Sequence, residues 1–199
     1  MPSLLIATGN AGKLSEFREL LAGVPFELLS PADIGLSLAV AETGRTYATN
    51  ARLKARAFAQ ASGMLSLGDD SGLEVEALGG APGMLSARYA GDKATDNERV
   101  AYLLDKIKDV PYQERRAVFR CVIALAAPNG TVQLFSGSCR GLIALAPQGG
   151  HGFGYDPVFY FPKFGKTMAE LPPRLKNIIS HRACAARRAQ VNLLTQVIT

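Results

Sequence analysis

The chain has 199 residues, 48% of them hydrophobic and 20% charged. That balance suits one globular domain that buries its own core without disulfides, and it excludes a disordered or fibrous chain. Twenty-two Lys and Arg against 17 Asp and Glu give a net charge of +5, which points to an anionic partner, either a nucleic acid or a small phosphate ligand. The cations form no run of five or six and Trp is absent, which weakens the nucleic-acid option.

Ser3 to Thr8 reads as a buried strand that breaks at Gly9-Asn10-Ala11-Gly12. Leu14, Phe17, Leu20 and Leu21 then recur at helical spacing to about Gly23. Phe26–Leu29 forms a second strand, and a loop through Pro31, Asp33 and Gly35 leads to Glu42-Thr43-Gly44. Thr46 caps an alanine-rich helix that Gly63 ends. Met64–Leu67 is a strand, stopped by Gly68-Asp69-Asp70-Ser71-Gly72 and resumed at Leu73–Ala77. Thr95-Asp96-Asn97-Glu98 is a capping box ahead of an amphipathic helix. Arg116–Ala127 and Thr131–Gly137 flank Pro128-Asn129-Gly130 as a hairpin, Gly141–Ala146 adds a strand, and Gly149–Pro157 is a glycine-rich loop before Val158–Phe161. A last helix runs from about Arg182 to Ile198. Strands and helices mix without strict alternation, so an α/β fold on a mixed sheet is expected, as a single domain over 1–199.

No apolar run approaches the ~20 residues of a membrane span, and Met1-Pro2-Ser3 lacks a secretory pattern. No membrane partner and a cytoplasmic location are expected. Cys121, Cys139 and Cys184 are widely spaced with no C-x-x-C pair, which fits reduced thiols serving as buried filler.

Four segments carry candidate chemistry, and each has a plainer alternative. Thr8-Gly9-Asn10-Ala11-Gly12-Lys13 sits at a strand-to-helix junction, where backbone N–H groups and a lysine favour a phosphate. Its spacing is not that of a Walker A loop, and a simple tight turn is the alternative. Asp69 and Asp70 with Glu42 offer hard oxygen ligands for Mg²⁺, while Asp, Ser and Gly together also make ordinary polar turns. Gly152-Phe153-Gly154-Tyr155-Asp156-Pro157 offers an aromatic face for a base or a plug for the core. Lys176, Ser180, His181 and Arg182 gather cations at the start of the last helix, where they oppose its dipole. An anion, a polar ligand or a salt bridge would compensate. His151 and His181 are the only histidines, which excludes a multi-histidine metal site.

In this order the segments resemble the inosine triphosphate pyrophosphatase family, enzymes that hydrolyse ITP, dITP and XTP. The resemblance runs from Thr8 to Arg182 and rests on TGNAGK at 8–13, ETG at 42–44, NARLKA at 50–55 and DDSGLEV at 69–75. It also takes in GGAPGMLSARYAG at 79–91, GFGYDP at 152–157 and SHR at 180–182. It implies an elongated mixed β-sheet flanked by helices in two lobes around a cleft, a homodimer, and Mg²⁺ dependence. Residues Thr8, Gly9, Asn10, Ala11, Gly12 and Lys13, with Lys54, would grip the triphosphate. Asp70 would act as proton acceptor and metal ligand, with Glu42 and Asp69 on the same metal, and Ser71 would touch the substrate. Phe153 would stack on the base within Gly154 and Tyr155, and Asp156, Lys176, His181 and Arg182 would surround its edge. The substrate is a small nucleoside triphosphate, with no stable nucleic-acid partner. The chain departs from the family pattern at Ala41 and Thr49, where acids are common, and at His151, where glycine is common.

Within enzymes, the rival is a pyrophosphatase for another altered nucleotide. Outside them, it is a nucleic-acid-binding protein, motivated by a pI of about 9.2 and opposed by the acidic pair at 69–70.

Overall fold

The chain order begins with β1 (Ser3–Ile6), α1 (Ala11–Leu20) and β2 (Glu27–Leu29). β1 and β2 are parallel, so a crossover must join them, and the Leu14–Leu21 periodicity supplies it as α1. The coordinates are those of a computed structural model, which describes residues 1–195. Next comes α2 (Tyr47–Ser62), whose first turn is closed by the Thr46 side chain accepting from Thr49 N–H and whose last turn ends on Gly63 at φ 69°. β3 (Leu65–Val75), β4 (Pro82–Gly83) and α3 (Asp96–Lys106) follow, with the Thr95–Glu98 capping box formed in both directions. The remainder is β5 (Arg116–Ala126), β6 (Val132–Ile143), β7 (Phe159–Phe161), β8 (Lys166–Thr167), α4 (Pro173–Ile179) and α5 (His181–Thr195).

The strands form one mixed sheet in the order β2-β1-β3-β5-β6-β7-β8, with β4 also on β3. β1 is parallel to both neighbours and β7 antiparallel to both of its own. The expected mixed α/β sheet flanked by helices is therefore present.

By contacts the chain forms two compact units. The first holds Met1–Asp70, Cys121–Gly137 and the chain from Arg182. Its strands bury alternate residues on opposite faces. Leu4 and Ile6 meet Phe17 of α1, Leu21 just after it, and Ala186 and Leu193 of α5. Leu5 and Ala7 meet Phe58 of α2, and Ala51, Ala55 and Ala59 of α2 pack on Ala124 and Ala126. The second unit, Ser71–Arg120 and Ser138–His181, has its own core around Leu73, Leu103, Tyr155, Phe159 and Met168.

Three expectations need correction. β3 does not stop at Gly68-Asp69-Asp70-Ser71-Gly72 but runs unbroken through it, so the acids lie inside a strand and not in a polar turn. The sequence suggested a break because Gly68 looks like a turn residue. Its actual role is close approach: a Cβ there would lie 2.6 Å from Ala55 N and 2.8 Å from Ala51 O, so only glycine lets α2 settle on β3. β6 likewise continues through 138–143, where Gly141 admits the Tyr160 backbone. The short helix α4, opened by Pro173, was not anticipated. The last helix starts one residue early, at His181, and the end expected at Ile198 lies outside the described residues.

Candidate active site

β1 ends at Ile6, paired with Leu67, while β3 continues past it. Asp69 and Asp70 therefore lie just beyond the carboxyl end of a parallel strand, the place where α/β sheets gather ligands. The loop leaving β1 reaches the same place. Asn10 caps α1 by accepting from Lys13 N–H at 2.9 Å, and Lys13 Nζ lies 2.8 Å from Asp69 Oδ2. Asp69 is 2% exposed and Asp70 5%. Two consecutive carboxylates this deeply buried have no place in an ordinary surface turn, since buried charge is stable only when paired.

The pairing is specific. Asp69 meets Lys13 of α1 and lies 3.8 Å from Arg182 of α5, whose guanidinium is 2.5 Å from Glu16. Asp70 Oδ2 accepts from Asn50 Nδ2 of α2 at 3.1 Å. Lys54, one turn further along α2, holds Glu42 at 2.8 Å. Although burial pulls the Asp69 carboxyl upward, Lys13, Arg182 and Lys54 hold it well below the usual carboxylate range. Asp70 goes the other way: burial pushes it up, Glu42 adds to that, and Lys54 and Asn50 only partly oppose it. Burial would lower the Lys54 ammonium, but Asp69, Glu42 and Asp70 outweigh it and keep it charged. Of two adjacent acids, one is thus a fixed anion and the other a carboxylate held at higher basicity.

In the second unit the glycine-rich loop is tied down by two carboxylates. Asp156 Oδ2 accepts from Phe153 N–H at 2.9 Å and from Lys176 Nζ at 2.5 Å. Asp96, at the start of α3, accepts from Gly154 N–H at 2.7 Å. The Lys176 ammonium lies 5.2 Å from the Phe153 ring centroid. The Tyr155 hydroxyl donates to Ser86 O, and its ring belongs to the core. His181 stacks on Phe119 at 4.5 Å with 9° between the planes.

A family model for the Ham1 family matches residues 4–191. The chain belongs to the Ham1 family. It is 49% identical over 185 residues to a dITP/XTP pyrophosphatase of Geobacter sulfurreducens, covering 93% of each chain. With the Thermus thermophilus dITP/XTP pyrophosphatase it shares 48% over 184 residues, 92% of this chain and 88% of that one. Among solved structures, a HAM1 protein from Coxiella burnetii superposes with a TM-score of 0.88 at 40% identity, covering 98% of this chain and 100% of the other. The Staphylococcus aureus Ham1 protein gives 0.86 at 40%, covering 98% and 99%. The resemblance read from the sequence and the Ham1 match are the same finding.

Within this Ham1 chain, Lys13, Lys54, Glu42, Asp69, Asp70 and Arg182 fall in the first unit, and Ser71, Phe153, Gly154, Tyr155, Asp156, Lys176 and His181 in the second. Arg182, expected at the edge of a base with no obvious local acid and with a salt bridge as the alternative, is buried between Glu16 and Asp69 and over the Phe17 ring at 5.7 Å. Those acids also relieve the conflict between a cation and the start of α5. Among the described residues, no group of three or more His, Cys, Asp or Glu side chains is disposed to hold a metal ion. Glu42, Asp69 and Asp70 are thus not gathered as one ready cluster. Asp69 and Asp70 are successive residues of a strand, and their partners come from opposite faces, α1 and α5 for one and α2 for the other.

Reading the sequence missed Asn50, Glu16, Asp96 and Phe119. Asn50 stands four residues before Lys54 in NARLKA, which was itself a signal. Asp96 was read only as part of a cap, and nothing local marks Glu16 or Phe119. Of the cysteines, Cys121 and Cys139 are buried as expected, and burial with Asp69 nearby pushes the Cys121 thiol up to about 12. Cys184 is half-buried, with Arg187 at 3.4 Å from its sulfur.

Proposed function

We propose that this chain hydrolyses ITP, dITP and XTP to the nucleoside monophosphate and pyrophosphate. The observation that carries the proposal is the divergence of Asp69 and Asp70: one carboxylate fixed by Lys13 and Arg182, its neighbour kept basic by burial. The name dITP/XTP pyrophosphatase, carried by relatives that match over nine-tenths of the chain, supports the substrate class.

Lys13, Lys54 and the N–H groups that open α1 provide positive charge for a triphosphate. Asp70 takes the proton of the water that attacks the α-phosphorus, and the bond to the bridging oxygen breaks as pyrophosphate leaves. Glu42 and Asp70 suit a hard divalent cation such as Mg²⁺: both are oxygen ligands, and the Glu42 charge adds to what holds the Asp70 carboxyl up. When bound, Mg²⁺ would neutralise phosphate charge as the substrate reacts. Asp69, occupied by Lys13 and Arg182, serves this arrangement as the anchor of the lysine.

Phe153 provides the face for the base. Its own N–H and that of Gly154 already donate to Asp156 and Asp96, so reading the edge of the base falls to side chains, Lys176 and His181. A purine with oxygen at C6 accepts from such donors, while adenine presents an amino group to them. Mismatches of that kind reach ~10⁴-fold in discrimination.

A homodimer acting in the cytoplasm belongs to the same proposal. Leu85, Leu145 and Ile178 are large apolar side chains left exposed, of the kind that a second copy would cover. The deciding experiment measures pyrophosphate release from a panel of nucleotides with Mg²⁺ and with chelator. Release from ITP and XTP far above ATP, lost in chelator, is expected. Equal rates for all, or release that survives chelation, defeats the proposal, and light scattering reads the oligomeric state.

A further inference from the structure

Asn50 is 3% exposed and lies in the first turn of α2, yet its side chain does not cap that helix, because Thr46 does. Its amide spans two other elements. Oδ1 accepts from Gly44 N–H at 2.8 Å and Nδ2 donates to Asp70 Oδ2 at 3.1 Å. The two bonds together fix which way the amide points, since a peptide N–H only donates and a carboxylate only accepts. Gly44 is pressed against this side chain: a Cβ there would lie 2.6 Å from Asn50 Oδ1 and 2.7 Å from Thr49 Cβ. Glu42 stands two residues before Gly44, and its carboxylate is held by Lys54 at 2.8 Å. Asn50 and Lys54 are four residues apart, so one face of α2 grips the Glu42 loop at two points, through its backbone and through its carboxylate.

We infer that Asn50 is a positioning residue, which sets the distance between Glu42 and Asp70 by bridging the Gly44 backbone to the Asp70 carboxylate. The inference rests on the reading of Glu42 and Asp70 as a cation-binding pair in the proposed function. The residue type follows from the task. An amide places a donor and an acceptor on two separate atoms of one short side chain, which a hydroxyl does not, and adds no charge beside two carboxylates. An aspartate would add a third negative charge, and a lysine would duplicate Lys54.

The test is a double-mutant cycle read by Mn²⁺ calorimetry on the full-length, nucleotide-free protein, with ITP kinetics and melting temperature measured alongside. Asn50→Ala should weaken Mn²⁺ binding ~10- to 100-fold, the usual effect of removing a partner that orients a metal ligand. It should lower kcat while leaving KM for ITP within a few-fold. In a Glu42→Gln background the same substitution should change Mn²⁺ affinity by less than ~3-fold, because there is no longer a second carboxylate to position. Independent losses at the two sites overturn the inference. So does a fall in melting temperature with Mn²⁺ affinity and kcat intact, or a parent protein that binds no Mn²⁺. If the alanine variant fails to fold, Asn50→Ser, too short to reach both partners, takes its place in the cycle. If neither folds, the role is structural and the inference fails. A parent that binds Mn²⁺ but does not hydrolyse ITP refutes the proposed function while leaving the cycle readable.

Discussion

Lys13 and Asp69 stand 56 residues apart in the chain and meet at 2.8 Å, with Asp69 almost wholly out of solvent. The contact joins the first turn of α1 to β3, the strand beside β1. It also places a charge pair where neither member is stable alone, since removing one partner from a buried pair costs ~3–5 kcal/mol.

A pH-dependent stability follows from that pair. The folded-state pKa of Asp69 is depressed, so its ionised form contributes stability that is fully present above the ordinary carboxylate value of ~3.9 and is lost as pH falls below it. Asp69→Asn should therefore lower the melting temperature strongly at pH 7 and progressively less below about pH 4. Melting curves of parent and variant across that range check this, and a difference independent of pH contradicts the ion-pair assignment.

Asp70 should behave in the opposite sense. Its raised pKa means that the folded protein gains nothing from its ionised form at neutral pH. Asp70→Asn should abolish hydrolysis while leaving the melting temperature equal or slightly higher. In the parent, the acid limb of the kcat/KM profile should lie above ~3.9. Turnover within a few-fold of the parent removes Asp70 as the base.

Phe153→Ala should weaken ITP binding by roughly 1–3 kcal/mol, the range for base stacking on an aromatic ring. Inorganic triphosphate has no base, so its inhibition constant should barely move. Parallel weakening of both ligands would mean that Phe153 matters through the Lys176 ammonium over its ring and not through a base.

For Arg182, the ion pair with Glu16 at 2.5 Å redirects the expectation from base reading to stability. Arg182→Ala should lower the melting temperature and reduce kcat/KM for ITP and ATP by similar factors, because it removes the buried cation that Glu16 and Asp69 share. A protein of unchanged stability whose ITP-to-ATP preference falls ~10-fold or more would restore the base-reading role.

The mixed α/β sheet was legible in the sequence, and so were the segments of the candidate site, but not the contacts that hold them. TGNAGK, DDSG and GFGYDP were legible because each joins glycine to charged or aromatic residues in a short span. Thr46, Gly63 and the Thr95–Glu98 box were legible because caps are local chemistry. What was not legible depends on partners far along the chain. Gly68 looks the same whether it turns a loop or admits Ala51 and Ala55 of α2. Arg182 seemed to lack an acid because Glu16 lies 166 residues away. Asn50 was quoted within a motif, but its bonds to Gly44 and Asp70 exist only once α2 lies on β3.

The unbroken course of β3 has a consequence for how this chain can change over evolutionary time. Asp69 and Asp70 differ in environment because they are consecutive on a pleated strand whose alignment Ile6↔Leu67 is fixed beside β1. A slip of one residue in that alignment would turn each acid to the other's face, putting one acid in its neighbour's place and carrying the other one position beyond its own, away from both sets of partners. Substitutions nearby can be absorbed one at a time, but a single-residue insertion or deletion between Leu65 and Asp70 would break the contacts of both acids in one event. That stretch should hold its length more strictly than its composition.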